Sequence, residues 1–491
     1  MTITVPVEVS NIEIKNFGEA EKEIYKLSMK FGRELLRQML ELKDLQLLAE
    51  RDAERYRCKG PRKTCIKTLM GDVEYRRRVY TDNGTKEAGS GRKKSRYLLD
   101  EELAIEKIGN VSANVCKQVA SGICESSYRA TARQISEHTG ESISAQGVWN
   151  LVQEIGKKLI AQNKRKAELN KVHAGKGEVI TKILYEENDG VWLNLQGPSR
   201  KEHGKTKEMK VGIAYDGVTF TISKNGKKRR TLNNKLAIAG FMPIEEYRKQ
   251  KEGLIGSVFD KDAIELRVVN GDGANWTRQK QTKSCIFVLD EFHRNKKLKE
   301  CVRDPEFAQD LRKLLYENEI DKVLDCLEAQ INSVSDKKEI DDLQDLQRYY
   351  TENKEALKGY YDRGIDIPET REPGVIHHAC LGGMESNVFT YIGNRMKDGR
   401  CCWSIDGGNN LAVILCGYHS NGLEYIFAVL PEVPAVEEEA EWVDDGNPIS
   451  SSKMPHTVGT GHEHTHNIST TNFSEFLRNI SSFTPLSALS L

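Results

Sequence analysis

The chain has 491 residues, 38 % hydrophobic and 30 % charged, and its 73 basic and 73 acidic side chains balance to a formal net charge of zero. That length suits roughly two to four domains with at least one large core. No apolar run approaches the roughly 18–20 residues of a membrane span. The start, Met1-Thr2-Ile3-Thr4-Val5-Pro6, lacks a basic segment followed by an apolar one, so membrane and secreted classes are not expected and a cytoplasmic location is.

Ile24, Leu27, Phe31, Leu35, Met39, Leu42 and Leu45 recur at three- and four-residue steps, which predicts a helix within 13–57 and an N-terminal helical segment over 1–57. A basic β-hairpin region follows over 58–98. Residues 51–97 carry 15 Lys/Arg against 6 Asp/Glu, a local balance of +9, partly offset far away by Glu437-Glu438-Glu439. A neutral total thus hides a basic face, and a polyanion senses the local field. Alternating runs at 63–70 and 73–80, joined by Gly71-Asp72, read as a hairpin with Arg76, Arg77 and Arg78 on one side. The Gly, Lys and Ser of 82–96 predict a loop.

Residues 99–175 are predicted as a helical DNA-binding region. A helix over 128–140 carrying Arg129 and Arg133, a Gly-containing turn, a Ser N-cap and a second helix opening at Gln146 form a helix-turn-helix pattern. Its second helix would read a DNA groove.

From Val179 the pattern turns to short strands, at 180–187, 191–195, 209–215, 218–222, 264–269 and 284–289, giving the first part of a core over 176–295. The charged, helical 296–375 is too long for a loop and reads as a helical insertion. The core ends over 376–432, with a helix at 384–397. Residues 433–491, acidic and then Ser/Thr/His-rich, are expected to form a disordered tail.

Three acids point to chemistry. Asp189 follows a strand in Ile183-Leu184-Tyr185-Glu186-Glu187-Asn188-Asp189-Gly190. Asp272 ends the apolar run of Val268-Val269-Asn270-Gly271-Asp272-Gly273-Ala274-Asn275-Trp276, and Glu385 begins a helical pattern in Gly382-Gly383-Met384-Glu385-Ser386-Asn387. Phosphodiester transfer needs charge neutralised on both attacking and leaving oxygens, which two Mg²⁺ (or Mn²⁺) ions on carboxylate ligands supply. Two strand-end aspartates and a later helical glutamate match the order of an α/β ribonuclease-H-like catalytic core. Glycines beside both aspartates admit close approach of metal and phosphate. Asp216 is a rival for Asp189, and Asp290 for Asp272. Glu187, two residues before Asp189, points to the same strand face and is an auxiliary candidate, as are His293 and Asn295. Lys228, Arg229 and Arg230, beside the core strands, are expected to contact phosphate.

These blocks, together with Leu289-Asp290-Glu291-Phe292-His293-Arg294-Asn295, Asn394-Arg395-Met396-Lys397 and Trp403-Ser404, resemble the ISLre-type bacterial insertion-sequence transposases. That family is a branch of the DDE enzymes related to Mutator-like transposases, and the resemblance covers roughly residues 30–425. It implies a ribonuclease-H-like core with a helical insertion before the final Glu, and Mg²⁺-dependent cutting and strand transfer at element ends. It also implies double-stranded DNA as partner, work as a homodimer or higher oligomer on DNA, and association with the nucleoid. Mutator-like relatives carry a Cys/His pair after the second Asp; Cys285 and His293 lie in that region but eight apart.

Some motifs are declined. Eleven cysteines, the closest at 58/65, 116/124 and 401/402, lack zinc-knuckle spacing and read as reduced, mostly buried thiols. His462-Glu463-His464-Thr465-His466 fits a zincin motif but not the helix that motif requires. Gly204-Lys205-Thr206 has Ser199 where a phosphate-binding loop needs glycine. The leading expectation is a DDE transposase. The alternatives are a catalytically inactive, transposase-derived DNA-binding protein and a structure-selective nuclease.

Overall fold

The computed structural model describes residues 16–86, 93–105, 107–139, 143–172, 176–222, 225–278, 282–368, 381–397 and 401–429. The tail expected over 433–491, with its His462–His466 motif, lies outside them. No helix among the described residues is long and apolar enough to cross a membrane.

Helix α1, Phe17–Glu50, starts where the Asn16 side chain accepts a hydrogen bond from the Glu19 amide. It lies on a sheet made of β1 (Tyr56–Thr68), β2 (Gly71–Lys86), β3 (Lys93–Arg96) and, after α2 (Leu98–Glu102), β4 (Lys107–Ile108) and β5 (Val111–Ser112). The strand order is β3-β2-β1-β5-β4. The expected hairpin is present but turns two residues earlier. Thr68 pairs with Gly71, so Leu69-Met70 form the loop, and Gly71 adopts φ +103 that a side chain would strain. Part of the predicted 82–96 loop is strand.

Arg76–Arg78 do not share a side, because successive strand residues alternate. Arg78 Nη1 pairs with Asp44 Oδ2 of α1 at 2.5 Å. Arg77 pairs with Asp100 of α2 and stacks 3.8 Å over the Tyr97 ring. Two of the three arginines therefore tie helices to the sheet, and Arg76 is the exposed one.

Helices α3 (Ala113–Glu125), α4 (Tyr128–Thr139) and α5 (Ala145–Val172) follow. The apolar stripe of α5, Val148, Val152, Ile155 and Leu159, belongs to the main core, so this helix of 28 residues is part of the scaffold.

The main sheet contains β6 (Ile183–Leu195), β7 (Thr206–Tyr215), β10 (Leu236–Gly240), β11 (Leu266–Gly271) and β12 (Cys285–Leu289). Helix α6 (Gly197–His203), the separate hairpin β8 (Val218–Ile222) and β9 (Lys228–Leu232), and α7 (Ile244–Val258) are inserted between them. The order is β10-β7-β6-β11-β12. The first two pairings are antiparallel, and β6–β11 and β11–β12 are parallel.

The runs predicted at 180–187 and 191–195 are one strand of 13 residues. It passes straight through Asp189-Gly190 because β7 pairs every residue from Tyr185 to Asn194. Alternation sorts its side chains. Ile183, Tyr185, Val191 and Leu193 face the core shared with α5, while Leu184 packs with Tyr247 and Ile255 of α7.

The predicted helical insertion is present as α8 (Glu291–Cys301), α9 (Pro305–Tyr316), α10 (Ile320–Ser333), α11 (Lys337–Glu352) and α12 (Lys354–Leu357). Asp290, Asp304 and Asp336 cap three of these helices with side-chain oxygens. Leu298, Leu311, Val323, Leu343 and Tyr350 form a core continuous with Val269, Phe287 and Leu289 of the sheet. The chain returns through α13 (Met384–Val388), a π-helical stretch Phe389–Lys397, β13 (Cys402–Trp403) paired with β6, and α14 (Ile405–Val429).

Candidate metal centre

Strand register brings the acids together. Gly271 pairs with Asn188 and with Leu289, so the residues that follow each of these, Asp272, Asp189 and Asp290, lie level on three neighbouring parallel strands. Asp189 is inside its strand; Asp272 and Asp290 follow theirs. Gly273, at φ +88, turns the chain after Asp272. That turn is fixed by Asp272 Oδ1, which accepts from the Ala274 amide and the Thr277 hydroxyl, both at 2.9 Å. The Tyr349 hydroxyl of α11 donates to the Asp272 carbonyl at 2.8 Å, so the helical insertion grips this loop.

Asp189 is buried, and its Oδ1 accepts from the Gly190 amide at 2.7 Å. His293 Nε2 lies 3.8 Å from that oxygen. One potential ligand atom from each of Asp189, His293 and Glu385 falls within 4.8 Å of the others. Asp272 is outside this closest set but adds its charge to it. Burial pushes the Asp189 carboxyl up to about 6; His293 opposes the rise, and Asp272 and Glu385 reinforce it. The donors are carboxylate oxygens and one imidazole, with Asp189 buried, His293 half-buried and Glu385 exposed. Such a set fits a hard or borderline divalent cation.

Asp290 has both carboxylate oxygens engaged by protein groups. Its Oδ2 caps α8 through the His293 amide at 3.1 Å and accepts from His293 Nδ1 at 3.0 Å, and its Oδ1 accepts from Asn270 Nδ2 at 3.0 Å. Burial would raise the Asp290 carboxyl, but His293 and Asn270 hold it below its ordinary value. A carboxylate only accepts, so Nδ1 carries the hydrogen and Nε2 faces Asp189. Burial would lower the His293 imidazole, yet the Asp290 hydrogen bond and the charges of Asp189 and Asp290 raise it.

Asp216 lies past the far end of β7, beyond Tyr215, which pairs with Tyr185, and accepts from Asn234 at 2.8 Å, so it does not join Asp189. Cys285 starts β12 opposite Arg267, at the end remote from His293. Asn295 is half-buried on α8, accepting from Arg294 Nε at 3.4 Å. Glu187 is fully buried on the Asp189 face.

Among the basic candidates, Arg129, Arg133 and Gln146 are exposed on α4 and α5. Lys228 and Arg229 are exposed on β9, while Arg230 is half-buried and donates to the Leu381 carbonyl at 3.4 Å, just before Glu385. Asn270, Tyr349 and Tyr215 support the site without having been singled out as sequence candidates. Only Asn270 carried a local signal, its place in the Asn-Gly-Asp-Gly block.

The chain belongs to UPF0236, described as an uncharacterised protein family, whose profile matches residues 12–425. It is similar to a UPF0236 protein of Caldanaerobacter subterraneus subsp. tengcongensis, 25 % identical over 388 residues, 78 % of this chain and 76 % of the relative. Another from that organism, whose name joins eleven locus designations, has the same identity and coverage. A UPF0236 protein of Streptococcus gallolyticus, described as lying in the vanSb 3′ region, is 23 % identical over 451 residues, 87 % of this chain and 88 % of the relative.

Proposed function

We propose that this protein is a DDE transposase that cuts DNA and transfers strands at the ends of an insertion sequence, using Mg²⁺ or Mn²⁺. The observation that carries the reading is the meeting of Asp189 and Asp272, level on neighbouring parallel strands, with Glu385, which arrives after a helical insertion. The main sheet, β10-β7-β6-β11-β12 with β11 and β12 parallel to β6, supports the α/β core that the resemblance implies. A relative whose name spans eleven loci of one organism fits a sequence that multiplies in genomes.

Two divalent ions bound here would activate the attacking oxygen and neutralise the leaving one. The chain's own part is to hold Asp189 beside Asp272 and Glu385, and to orient His293 through Asp290. Lys228, Arg229 and Arg230 lie on the strand whose Arg230 reaches the loop before Glu385, where they would meet a DNA backbone. Arg76, Arg129, Arg133 and Gln146 are the surface candidates for gripping element ends, in a homodimer or larger assembly on the nucleoid.

The test is cleavage of a plasmid carrying the DNA that flanks this gene, with Mg²⁺ against EDTA and wild type against Asp272→Asn. Metal-dependent cuts at the element ends, reduced at least about a thousandfold in the variant, are expected; losing several kcal/mol of charge stabilisation has that effect. Specific binding without cutting would replace this reading with a transposase-derived DNA-binding protein. Metal-dependent cutting that ignores the ends would indicate a structure-selective nuclease.

A further inference from the structure

Glu187 is fully buried, and among the described residues Tyr215, Asn270 and the amides of Gly382, Gly383 and Met384 donate to its carboxylate. Tyr215 Oη donates to its Oε1 at 2.6 Å and Asn270 Nδ2 to its Oε2 at 3.1 Å. The amides of Gly382, Gly383 and Met384 each donate to Oε2 at 3.2 Å. Those three amides come 195–197 positions later and immediately precede Glu385. Gly382 adopts φ +88, and the turn it makes aims successive N–H groups at one carboxylate.

The same side chain is two residues from Asp189 on the same strand face, and Asn270, which it accepts from, also donates to Asp290. One carboxylate thus links the strand of Asp189, the orienter of His293 and the segment that carries Glu385. Burying a carboxylate is costly unless its lone pairs are satisfied. Burial pushes its carboxyl above the ordinary range, with Tyr215 and Asn270 pulling it back. A residue that only stabilised the fold would be cheaper as an apolar side chain.

We propose that Glu187 is a positioning residue: it holds the 382–384 backbone against β6 and thereby sets the distance from Glu385 to Asp189. This rests on the metal-dependent reading of the site. Glutamine keeps the size of the side chain, but its NH₂ group offers a hydrogen where the cradle has only donors.

The experiment uses the full-length protein and two readouts, Mn²⁺ binding by electron paramagnetic resonance and amide exchange at Gly382, Gly383 and Met384. In Glu187→Gln, Mn²⁺ binding is expected to weaken about 10–100-fold, as for loss of other residues that orient ligands. Exchange at the three amides should quicken at least about tenfold while the β6 and β11 amides stay protected. Unchanged Mn²⁺ affinity, or unchanged exchange, in the folded variant overturns the proposal. Wild type that binds no Mn²⁺ would overturn the metal reading, and exchange would still judge the anchor. If Glu187→Gln does not fold, Tyr215→Phe removes the 2.6 Å donor and must show both changes in smaller size. Absence of either change there overturns the proposal equally.

Discussion

Glu186 and Glu187 are consecutive in β6 and both fully buried, but their partners differ in kind. Glu186 faces α7, where Lys251 Nζ lies 2.7 Å from Oε2 and Arg267 Nε donates to Oε1 at 2.6 Å. Arg267 also reaches Glu252 at 2.5 Å, and Glu252 pairs with Lys261 at 2.7 Å. Glu187, on the other face, accepts from the Tyr215 hydroxyl, the Asn270 amide and three backbone N–H groups among the described residues. One face of the strand closes its charges against each other. The other sets its acids against hydrogen-bond donors and the single imidazole of His293, with no Lys or Arg within ion-pair distance of Asp189 among the described residues, which leaves room for a cation. Charge balance, more than burial, separates the scaffold face from the candidate site.

The comparison breaks most visibly if Arg267 is replaced by Met. The buried Glu186 and the half-buried Glu252 then lose their shared cation while each keeps a lysine, and the cost should be about 2–4 kcal/mol in urea unfolding. Mn²⁺ affinity of the folded protein should stay unchanged, since this face does not touch the site. Acid sharpens the contrast. Burial would raise Glu186 and Glu252, but Arg267 and its neighbours hold both below their ordinary 4.5. The stability they contribute is therefore present above about pH 4.5 and lost as pH falls through their lowered folded values. The gap between wild type and Arg267→Met should shrink over that window in pH-dependent melts; a gap that is constant with pH would mean the pairing contributes nothing.

On the site face a smaller effect is expected from Asp290→Asn. The α8 cap can survive, but the charge that orients His293 goes, so Mn²⁺ affinity should fall about 10–100-fold with little change in melting. Smallest is Tyr349→Phe, which removes one hydrogen bond between the helical insertion and the Asp272 carbonyl. It should cost about 1 kcal/mol in urea unfolding. A larger loss would mean that the insertion organises more of the site than this loop.

What the sequence reveals depends on how local the cause is. Asp272 was legible because an apolar run, an Asp and a Gly on each side act within a few residues. The helical insertion was legible from its charged, helix-forming composition and its length. The break expected at Asp189-Gly190 does not occur, since glycine is tolerated where the neighbouring strand supplies the ladder bonds. Strand β10, Leu-Ala-Ile-Ala-Gly, is short, small-sided and without alternation, so nothing marked it. The three arginines of β2 showed as a basic cluster, yet Asp44 lies 34 positions before Arg78 and decides that Arg78 is structural. Glu187 was legible as a neighbour of Asp189 on one strand face; the backbone it holds lies nearly 200 positions away and leaves no mark in its local sequence.

The most direct test of the central claim is the anomalous signal of Mn²⁺ in crystals of the wild-type protein. Two peaks roughly 3.5–4 Å apart, bounded by Asp189, Asp272 and Glu385, are the predicted result. A single peak that leaves Asp272 out would contradict the two-ion account, and no peak within ligand reach of Asp189 and Glu385 would contradict the metal centre itself.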